Sequence, residues 1–598
     1  MRSLAWINPW RKDKLAKSAP RVVPTRDQRL GKIALGQVGS SVLASQVTIS
    51  SSAELKILPS RITKFRVDIV GNISSRICPA ILENGDWIIL VTQQAIQTDS
   101  LSAAIQRCKQ ASGRVPQVYK ITPNYLLTLR QGGSKDRTTQ QNEHTVHQAA
   151  FDEILNWAIR NKASDVHLNL DKSESYSQIC FTIGGQYVSP ISWRIPTEQL
   201  ESLINVAWQS AKGGASPVFS ADSEQQARIE FTVDNAHYMG RWAGMAVDRG
   251  HSVCIRLLRT SESVVTRSLE DQGFLPSQVA MLRRAQISEG GVICLAGVVG
   301  SGKSTTIATL LSMLPKTRKI ITLEDPVEYR IPNALQNTIA RSLDENEETS
   351  FLAKLRTVKR SAPHDLLIGE IRDVVTGLAF MDVTGTGTNV YTTVHAKSAF
   401  QIPERLASSS IGVPTSFLAS PGILNLLVFQ ALIPVLCPHC SQPIGHLKEH
   451  GGEDIRGVHK EPEFWSNYID LIGDVYNVDA SSLRIKNPNG CDQCRHPDIP
   501  ELSGYSGRTV VAEMIEPNAD REVLRCVRSG DTLRLQEHLE KAPRTSIDDP
   551  DMTNKTIMEC AMFKALQGLF DPRDIEVRTH SFETEQLIQR QRAEKATS

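Results

Sequence analysis

The chain has 598 residues, of which 40% are hydrophobic and 22% are charged, and its formal net charge is +2. This length excludes a single hydrophobic core, so we expect roughly three to five domains. The longest apolar stretches, such as 422–435, are too short or too interrupted to span a bilayer, and residues 1–14 lack the apolar core of a signal peptide. We therefore expect a cytoplasmic protein that associates with a membrane only peripherally, through partners.

Residues 1–60 are predicted to form a basic tail and a linker. Residues 1–32 contain nine Lys or Arg and two Asp, which gives a net charge of +7. Such a run is usually a solvated tail. Because Trp6 and Trp10 accompany the charges, a tether to an acidic partner or to an anionic leaflet is the alternative.

Two units of mixed structure are predicted next, at 61–145 and 146–262. In the first, apolar runs and helical spacing predict strands at 86–91 and 115–121 and a helix at 101–108. The second begins with an amphipathic helix at 147–159. Alternation of apolar and polar residues then predicts an antiparallel sheet with strands at 163–168, 228–233, 238–243 and 252–258.

Residues 297–305 fit the phosphate-loop pattern G-x-x-x-x-G-K-[ST], between an apolar run at 291–296 and a helical pattern at 305–314. A strand, a glycine-rich loop and a helix N-terminus together bind polyphosphates through backbone N–H groups. Lys303 is expected to reach the β- and γ-phosphates of ATP, and the Ser304 hydroxyl to bind Mg²⁺. The predicted nucleotide-binding residues are Gly297, Val298, Val299, Gly300, Ser301, Gly302, Lys303, Ser304 and Thr305.

Three later segments, at 319–329, 365–373 and 389–395, are short apolar or β-branched runs that end in polar residues. Strands that alternate with helices favour a parallel sheet, in which ligands bind at the carboxyl ends of the strands. We therefore expect the polar ends of all three segments to face the phosphate loop.

These ends supply the candidate catalytic side chains. Glu370 is expected to polarise the attacking water or to hold Mg²⁺ through its waters. Glu324, Asp325 and Glu328 offer further carboxylates for magnesium and water, the alternative being an ordinary acidic turn. His395 is a candidate sensor of the γ-phosphate, although a histidine at a strand end is more often structural.

Eleven cysteines are present, and four of them form two C-x-x-C pairs. Cys437, Cys440, Cys491 and Cys494 are predicted to form a structural zinc site, because four thiolates complete a tetrahedral shell. The alternative is four structural or redox thiols. The other seven are scattered, mostly in apolar runs, which indicates a reducing compartment.

The chain resembles the ATPases of type II secretion and type IV pilus assembly. The resemblance extends over about 60–580 and includes several motifs in one order. These motifs are ASDVH at 163–167, SLE at 268–270, GSGKSTT at 300–306, LEDPVEY at 323–329, GEIRD at 369–373, TVH at 393–395, the two Cys pairs and GYSGR at 504–508.

The resemblance implies an α/β fold with a PAS-like α+β domain at 146–262 and a RecA-like P-loop core at 263–425. A Cys₄ insert at 426–510 and a helical C-terminal region at 511–598 would follow. It also implies that Glu370 is the Walker B glutamate and that Arg241 and Arg256 approach the nucleotide across a cleft. The implied assembly is a homo-hexamer that acts on an inner-membrane platform protein, with an accessory protein at the N-terminal domain.

Three positions depart from the family pattern. Thr388 replaces the first histidine of the His box, RSAPH at 360–364 replaces RQDPD, and QALIP at 430–434 lacks both arginines of QRLxR. These departures favour a divergent branch, such as a type IVB or conjugative-plasmid pilus system.

The resemblance implies a motor that uses ATP hydrolysis for pilus assembly or protein secretion. The first small domain and the Cys₄ insert favour assembly over retraction. A DNA-transfer motor is one alternative, but the pI of about 8.0 is modest and no aromatic-basic groove pattern is present, so no nucleic acid is expected. A non-hydrolysing nucleotide-dependent scaffold is the other, and Glu370 argues against it.

Overall fold

The computed structural model describes residues 43–50, 54–70, 76–96, 98–123, 125–126, 129, 139–212, 218–259, 267–325, 327–339 and 347–597. The basic run at 1–32 lies outside these residues. Within the described ranges, every helix is too short or too polar to serve as a membrane span. The expected mixed α/β fold is confirmed, with three sheets of five or more strands.

The first unit is a five-stranded sheet in the order β1-β5-β4-β3-β2. Its strands are β1 (Leu43–Ile49), β2 (Ile62–Phe65), β3 (Ile77–Leu82), β4 (Trp87–Val91) and β5 (Gln117–Ile121). Its helices are α1 (Val67–Val70) and α2 (Asp99–Ser112), and α2 buries Leu101, Ala104 and Cys108. Both predicted strands and the predicted helix are confirmed.

The position of β1 corrects the prediction that residues 1–60 contain only a tail and a linker. β1 pairs in parallel with β5, with Ile49 opposite Ile121. Ile49 is completely buried in the core of this unit. The pairing joins residues far apart in sequence, and one short strand without clear alternation gives no local signal for it.

The second unit is an antiparallel sheet in the order β10-β11-β12-β6-β7-β8, with β9 paired to β7. Its strands are β6 (Ala163–Asp171), β7 (Tyr176–Ile183), β8 (Gln186–Val188), β9 (Arg194–Pro196), β10 (Gln225–Val233), β11 (Ala236–Val247) and β12 (Gly250–Arg259). Helices α3 (Thr139–Arg160) and α4 (Thr197–Gln209) share one hydrophobic core with the sheet. The predicted antiparallel sheet is confirmed, whereas the PAS-like assignment stays a prediction.

The central unit is a seven-stranded sheet in the order β15-β14-β16-β17-β13-β18-β23, parallel except between β18 and β23. The strands are β13 (Gly291–Ala296), β14 (Ile320–Glu324), β15 (Ala334–Thr338), β16 (Asp365–Ile368), β17 (Asn389–Val394), β18 (Leu424–Leu436) and β23 (Tyr505–Ile515). Apolar residues are buried on both faces of the sheet. The predicted parallel sheet is confirmed, because β13, β14, β16 and β17 carry the segments read from the sequence.

Helices cover both faces of the central sheet. They are α5 (Leu269–Gln272), α6 (Pro276–Ile287), α7 (Lys303–Ser312), α8 (Glu347–Arg360), α9 (Val374–Thr384), α10 (Ile402–Ala407) and α11 (Thr415–Leu418). Helices α6 and α7 pack on one face, and α8 and α9 pack on the other. The strand order places β13, and the phosphate loop that follows it, between β17 and β18 in the interior of the sheet.

The core sheet extends beyond the predicted domain boundaries at 425/426 and 510/511. The first boundary falls inside β18, and the second falls inside β23. Leu427 and Val428 of β18 are completely buried between the two layers of helices. The largely apolar run at 424–436 is therefore a strand inside the core sheet, as expected for a strand covered on both faces.

The remaining elements form the insert and the C-terminal helices. The insert contains β19 (Gln442–Pro443), β20 (Gly452–Glu453), β21 (His459–Lys460), β22 (Arg484–Ile485), α12 (Gly445–His450) and α13 (Pro462–Tyr476). The C-terminal helices are α14 (Arg521–Ser529), α15 (Thr532–Glu540), α16 (Ile557–Leu566), α17 (Pro572–Arg578) and α18 (Phe582–Thr597). Trp465 of α13 shares a core with Met562 of α16, so the insert and these helices pack as one body.

Candidate nucleotide-binding site and metal centre

The phosphate loop follows β13 directly and ends where α7 begins at Lys303. Gly297, Gly300 and Gly302 have φ values of 148°, 76° and 87°, which L-residues rarely adopt. A Cβ on Gly297 would also lie 2.3 Å from the carbonyl oxygen of Gln430. The loop therefore requires glycine both for its backbone conformation and for its contact with β18.

Lys303 lies over the loop that precedes it. Its Nζ donates to the carbonyl oxygens of Gly297 at 2.8 Å and Val298 at 3.0 Å. Burial lowers the pKa of Lys303, and the nearby carboxylates of Glu370 and Glu328 oppose that shift. The cation and two of the predicted catalytic carboxylates therefore lie at the same end of the sheet.

The first turn of α7 presents the other predicted loop residues. Ser304 is exposed, as a hydroxyl that binds a metal–nucleotide complex must be. The Thr305 hydroxyl donates to the phenol oxygen of Tyr329 at 3.1 Å. This contact ties the start of α7 to the acidic segment that follows β14.

Glu370 and His395 are brought together by strand order. β17 lies between β13 and β16, so the residues that follow β16 and β17 meet beside the loop. His395 Nε2 lies 3.2 Å from Glu370 Oε1, and both side chains are partly exposed. The predicted proximity of these two residues to the phosphate loop therefore agrees with the geometry.

The acidic segment after β14 occupies the same edge of the sheet. Glu324 accepts a hydrogen bond from Gln336 Nε2 at 3.2 Å. Burial raises the pKa of Glu324, its hydrogen bonds lower it, and the charge of Glu328 raises it further. Glu324 and Glu328 therefore interact with each other, and Glu328 also interacts with Lys303.

The two predicted arginines of the second unit lie directly opposite each other on β11 and β12. Arg241 Nη1 donates to the backbone oxygen of Asp325 at 3.2 Å. Arg256 Nε contacts Asp165 Oδ1 at 3.0 Å. Burial lowers the pKa of Arg256, but Asp165 and, more weakly, Glu328 raise it, with a net upward shift. Both arginines therefore border the acidic segment of the core.

The structure adds residues that the sequence did not single out as part of the site. Gln430 of β18 is completely buried, and its Nε2 donates to the Ser301 backbone oxygen at 2.8 Å. The Thr306 hydroxyl lies 3.0 Å from Gln430 Oε1. A polar residue within the apolar run at 424–436 is the signal that could have identified Gln430.

The departures from the family pattern near β16 and β17 lie at the N-terminal ends of these parallel strands, whereas the phosphate loop lies at the C-terminal ends. Thr388 and His364 precede the first residues of β17 and β16, whereas the phosphate loop follows the last residue of β13. They line a cavity of about 350 Å³ with residues of α8 and α9, such as Val358 and Val383. These substitutions therefore leave the phosphate loop and its carboxylates in place.

The four predicted zinc ligands converge on one point. The ligand atoms of Cys437, Cys440, Cys491 and Cys494 all lie within 4.8 Å of one another. The Sγ–Sγ distances include 3.8 Å between Cys437 and Cys491 and 3.5 Å between Cys440 and Cys494. A tetrahedral site with Zn–S bonds of about 2.3 Å requires sulfur atoms about 3.8 Å apart, so the residues fit zinc.

The order of strand, glycine-rich loop and helix, with carboxylates after the neighbouring parallel strands, is the arrangement of P-loop nucleotide-binding proteins. A family model described as Type II/IV secretion system protein matches residues 139–560. Because this match spans more than half of the chain, the chain belongs to the Type II/IV secretion system protein family.

Two individual relatives each share 28% sequence identity with the aligned part of the chain. The chain is 28% identical over 368 residues to the type II secretion system protein E of Pectobacterium carotovorum subsp. carotovorum, covering 61% of this chain and 65% of that protein. It is 28% identical over 364 residues to the type II secretion system ATPase E of Vibrio cholerae, covering 60% and 63%. Both alignments span less than two thirds of the relative.

Among solved structures, the ATPase DotB of Legionella pneumophila is similar, with a TM-score of 0.46 and 19% identity. That similarity covers 72% of this chain and 94% of DotB.

Proposed function

We propose that this protein hydrolyses ATP and uses the energy to drive pilus assembly or protein secretion. The observation that carries the proposal is the convergence of Lys303, Glu370 and His395 at the carboxyl edge of one parallel sheet. Phosphoryl transfer needs a phosphate cradle, a cation and a carboxylate that orients water. The described residues provide all three.

In this proposal, the backbone N–H groups of 297–305 cradle the phosphates, and Lys303 moves from its loop carbonyls to the β- and γ-phosphates. Ser304 would hold Mg²⁺, which neutralises charge on the phosphate oxygens when bound. Tyr329 fixes the Thr305 hydroxyl and thereby the first turn of α7. The loop residues thus bind and orient the nucleotide.

Glu370 is proposed to orient the attacking water, and His395 to hold the Glu370 carboxylate in place. The 3.2 Å contact between His395 Nε2 and Glu370 Oε1 leaves Oε2 available for the water. Glu324 and Glu328 lie at the same edge and would bind the waters of the metal. His395 is also proposed to sense the γ-phosphate, because loss of that phosphate would change the charge next to it.

Arg241 and Arg256 are proposed to couple nucleotide occupancy to movement of the second unit. Their guanidinium groups border the acidic segment at 325–328, and a nucleotide in the cleft would attract both. Binding and release of phosphates would then draw the two units together and apart.

The motor is proposed to be a homo-hexamer in the cytoplasm that acts on an inner-membrane platform protein. Family membership supports an assembly of this kind, and the first unit offers a place for an accessory protein. The first unit and the Cys₄ insert favour assembly or secretion over retraction. Cys437, Cys440, Cys491 and Cys494 would hold a structural zinc ion, and no open ligand position is needed.

ATP turnover by the purified chain tests this proposal. Lys303→Ala should abolish nucleotide binding, and Glu370→Gln should bind ATP but hydrolyse it at least about 10³-fold more slowly, since the water is no longer oriented. Lys316→Ala, an exposed lysine beyond α7, is the matched control and should keep full turnover. Hydrolysis by Glu370→Gln within twofold of the unsubstituted chain would contradict the proposal.

A second readout concerns the motor role. Cells of the natural host that express only the Glu370→Gln variant should lose pili or secreted protein, while the Lys316→Ala variant supports both. Normal export in the Glu370→Gln strain would rule out the motor role even if the purified protein hydrolyses ATP.

A further inference from the structure

A buried amide connects the entry of the central unit to the helix after the phosphate loop. The chain arrives from the second unit at Arg267, and α5 (Leu269–Gln272) follows at once. Ser268 caps this short helix, and Gln272 is its last residue. Gln272 is 9% exposed, so its side chain must find hydrogen-bond partners inside the protein.

Both ends of the Gln272 amide contact α7. Its Nε2 donates to the Thr309 hydroxyl at 2.7 Å, and its Oε1 lies 3.1 Å from the Thr306 hydroxyl. Thr306 and Thr309 are buried, and Thr309 in turn donates to the Thr305 backbone oxygen at 2.9 Å. The entry segment is therefore fastened to the first turns of the phosphate-loop helix.

The same network reaches the loop itself. The Thr306 hydroxyl also lies 3.0 Å from Gln430 Oε1, and Gln430 Nε2 donates to the Ser301 backbone oxygen at 2.8 Å. Because a hydroxyl has a single proton, Thr306 shares its proton between Gln272 Oε1 and Gln430 Oε1, and this shared contact links Gln272 through Gln430 to Ser301. Every side chain on this path is nine-tenths or more buried.

The backbone of the entry segment is anchored on its other side. The Thr509 hydroxyl donates to the Gln272 backbone oxygen at 3.0 Å, and Lys564 Nζ donates to the Gly273 backbone oxygen at 2.5 Å. The segment is therefore held between β23 and α16 on one side and α7 on the other. A change in the position of the phosphate loop would therefore be transmitted to residues 267–275 through the contacts of Gln272 with α7.

We propose that Gln272 is a positioning residue that couples the phosphate loop to the segment through which the second unit enters the core. Nucleotide binding would shift Ser301 and α7, and Gln272 would transmit that shift to residues 267–275. The coupling would be reciprocal, so the position of the second unit would also alter nucleotide affinity. This inference rests on the proposed nucleotide-binding role of the loop and adds a second link between the units, separate from Arg241 and Arg256.

The test uses the full chain, a fluorescent ADP analogue with Mg²⁺, and amide hydrogen exchange. In the unsubstituted protein, nucleotide should slow exchange in peptides that cover 297–306 and also in those that cover 267–275. Gln272→Leu should weaken nucleotide binding about fivefold, because it removes the buried hydrogen bond to Thr309 and the Gln272 share of the Thr306 hydroxyl proton. At saturating nucleotide it should keep the slowing at 297–306 and lose the slowing at 267–275.

Gln278→Leu is the matched control. Gln278 is a buried glutamine of α6, just after residues 267–275. Its Oε1 accepts from the Leu275 backbone N–H, and its Nε2 donates to the Ala512 backbone oxygen rather than to α7. It should keep the nucleotide response at 267–275. Thr306→Val removes the shared hydroxyl with little change in shape, should reproduce the loss, and should not add to Gln272→Leu in the double variant.

Retention of the nucleotide response at 267–275 in Gln272→Leu, or equal loss in Gln278→Leu, would overturn the coupling. Nucleotide binding without hydrolysis by the unsubstituted chain would contradict the proposed ATPase but not the coupling. No nucleotide binding by the unsubstituted chain would overturn both.

Discussion

At the scale of single residues, the phosphate loop depends on where a side chain is absent as much as on where one is present. Gly297 and Gly300 both have positive φ, but only Gly297 approaches another backbone, the Gln430 carbonyl of β18. The lysine and hydroxyls of the motif are correctly placed to bind phosphates only if the phosphate loop and β18 stay in contact. The glycine pattern in the sequence predicts the turn, whereas the close approach of β18 is a tertiary fact.

Gly297→Ala should lower the free energy of unfolding by about 3 kcal/mol and abolish nucleotide binding, since its Cβ would force the loop away from β18. Gly300→Ala, with nothing within 4 Å of its Cβ, should cost only about 1 kcal/mol of backbone strain. Urea unfolding monitored by circular dichroism measures both values. Equal losses in the two variants would show that β18 does not constrain the loop.

Lys564 is a buried lysine whose surroundings shift its pKa. It is 4% exposed, and its ammonium donates to the backbone oxygens of Gly273 and Val510. Burial lowers the pKa of Lys564 from 10.5 to about 8. Between these two pH values the unfolded chain binds the proton and the folded chain does not, so stability should rise with pH.

We expect the contribution of Lys564 to the free energy of unfolding to increase by up to about 3 kcal/mol between pH 8 and pH 10.5. The measurement is the difference in unfolding free energy between the unsubstituted chain and Lys564→Met across that range. Lys541→Met, at an exposed site, should show a difference that does not change with pH. A difference for Lys564→Met that falls as pH rises would contradict the burial of an ionisable amine there.

At the scale of elements, β18 and β23 have two roles. They complete the central sheet beside β13, and Leu436 lies opposite Tyr505 where the insert leaves and rejoins the sheet. The first Cys pair directly follows β18, and the second lies in the part of the insert that leads to β23. Cys437 N donates to the Gly504 backbone oxygen at 2.8 Å, so the four-cysteine cluster lies where the end of β18 meets the start of β23. The insert is therefore a long insertion between β18 and β23, two strands that pair with each other in the central sheet.

Cys437→Ser should reduce bound zinc from about one ion per chain to well below half, because one of the four thiolate ligands is lost. It should also destabilise the insert. Zinc released by acid and measured by a colorimetric chelator gives the stoichiometry. Cys560→Ala, a buried thiol outside the cluster, should keep its zinc. Unchanged zinc in Cys437→Ser would show that the four thiols do not form the binding site.

At the scale of the whole molecule, the described part of the second unit contacts both the core and the insert. Arg241 reaches the Asp325 backbone oxygen beside the nucleotide site. Ile499 and Leu502 of the insert are buried in the hydrophobic core of the second unit. The first contact is polar and lies beside the candidate nucleotide site, and the second is apolar and lies on the insert. This arrangement suits a hinge in which only the first contact changes with the nucleotide.

Arg241→Ala should lower ATP turnover about tenfold or more, because it removes a cation that we propose approaches the bound nucleotide. The free energy of unfolding should change by less than about 1 kcal/mol, since the contact is a single partly exposed hydrogen bond. Arg194→Ala, on β9 of the same unit, is the matched control and should keep full turnover. Full turnover in Arg241→Ala would exclude a catalytic contribution from the second unit through this residue.

The sequence alone predicts where the phosphate loop and its flanking strand and helix lie. It also predicts that the carboxylates after the neighbouring strands lie near the loop and that the four cysteines form one cluster. These follow from local patterns: apolar periodicity, glycine spacing, and the placement of polar residues just after buried runs. Tertiary structure alone decided the pairing of β1 with β5, the inclusion of β18 and β23 in the central sheet, and the buried path from Gln272 to Ser301. Each of these joins residues distant in the chain, and a pattern read along the sequence carries no information about which distant segment completes a sheet or satisfies a buried amide.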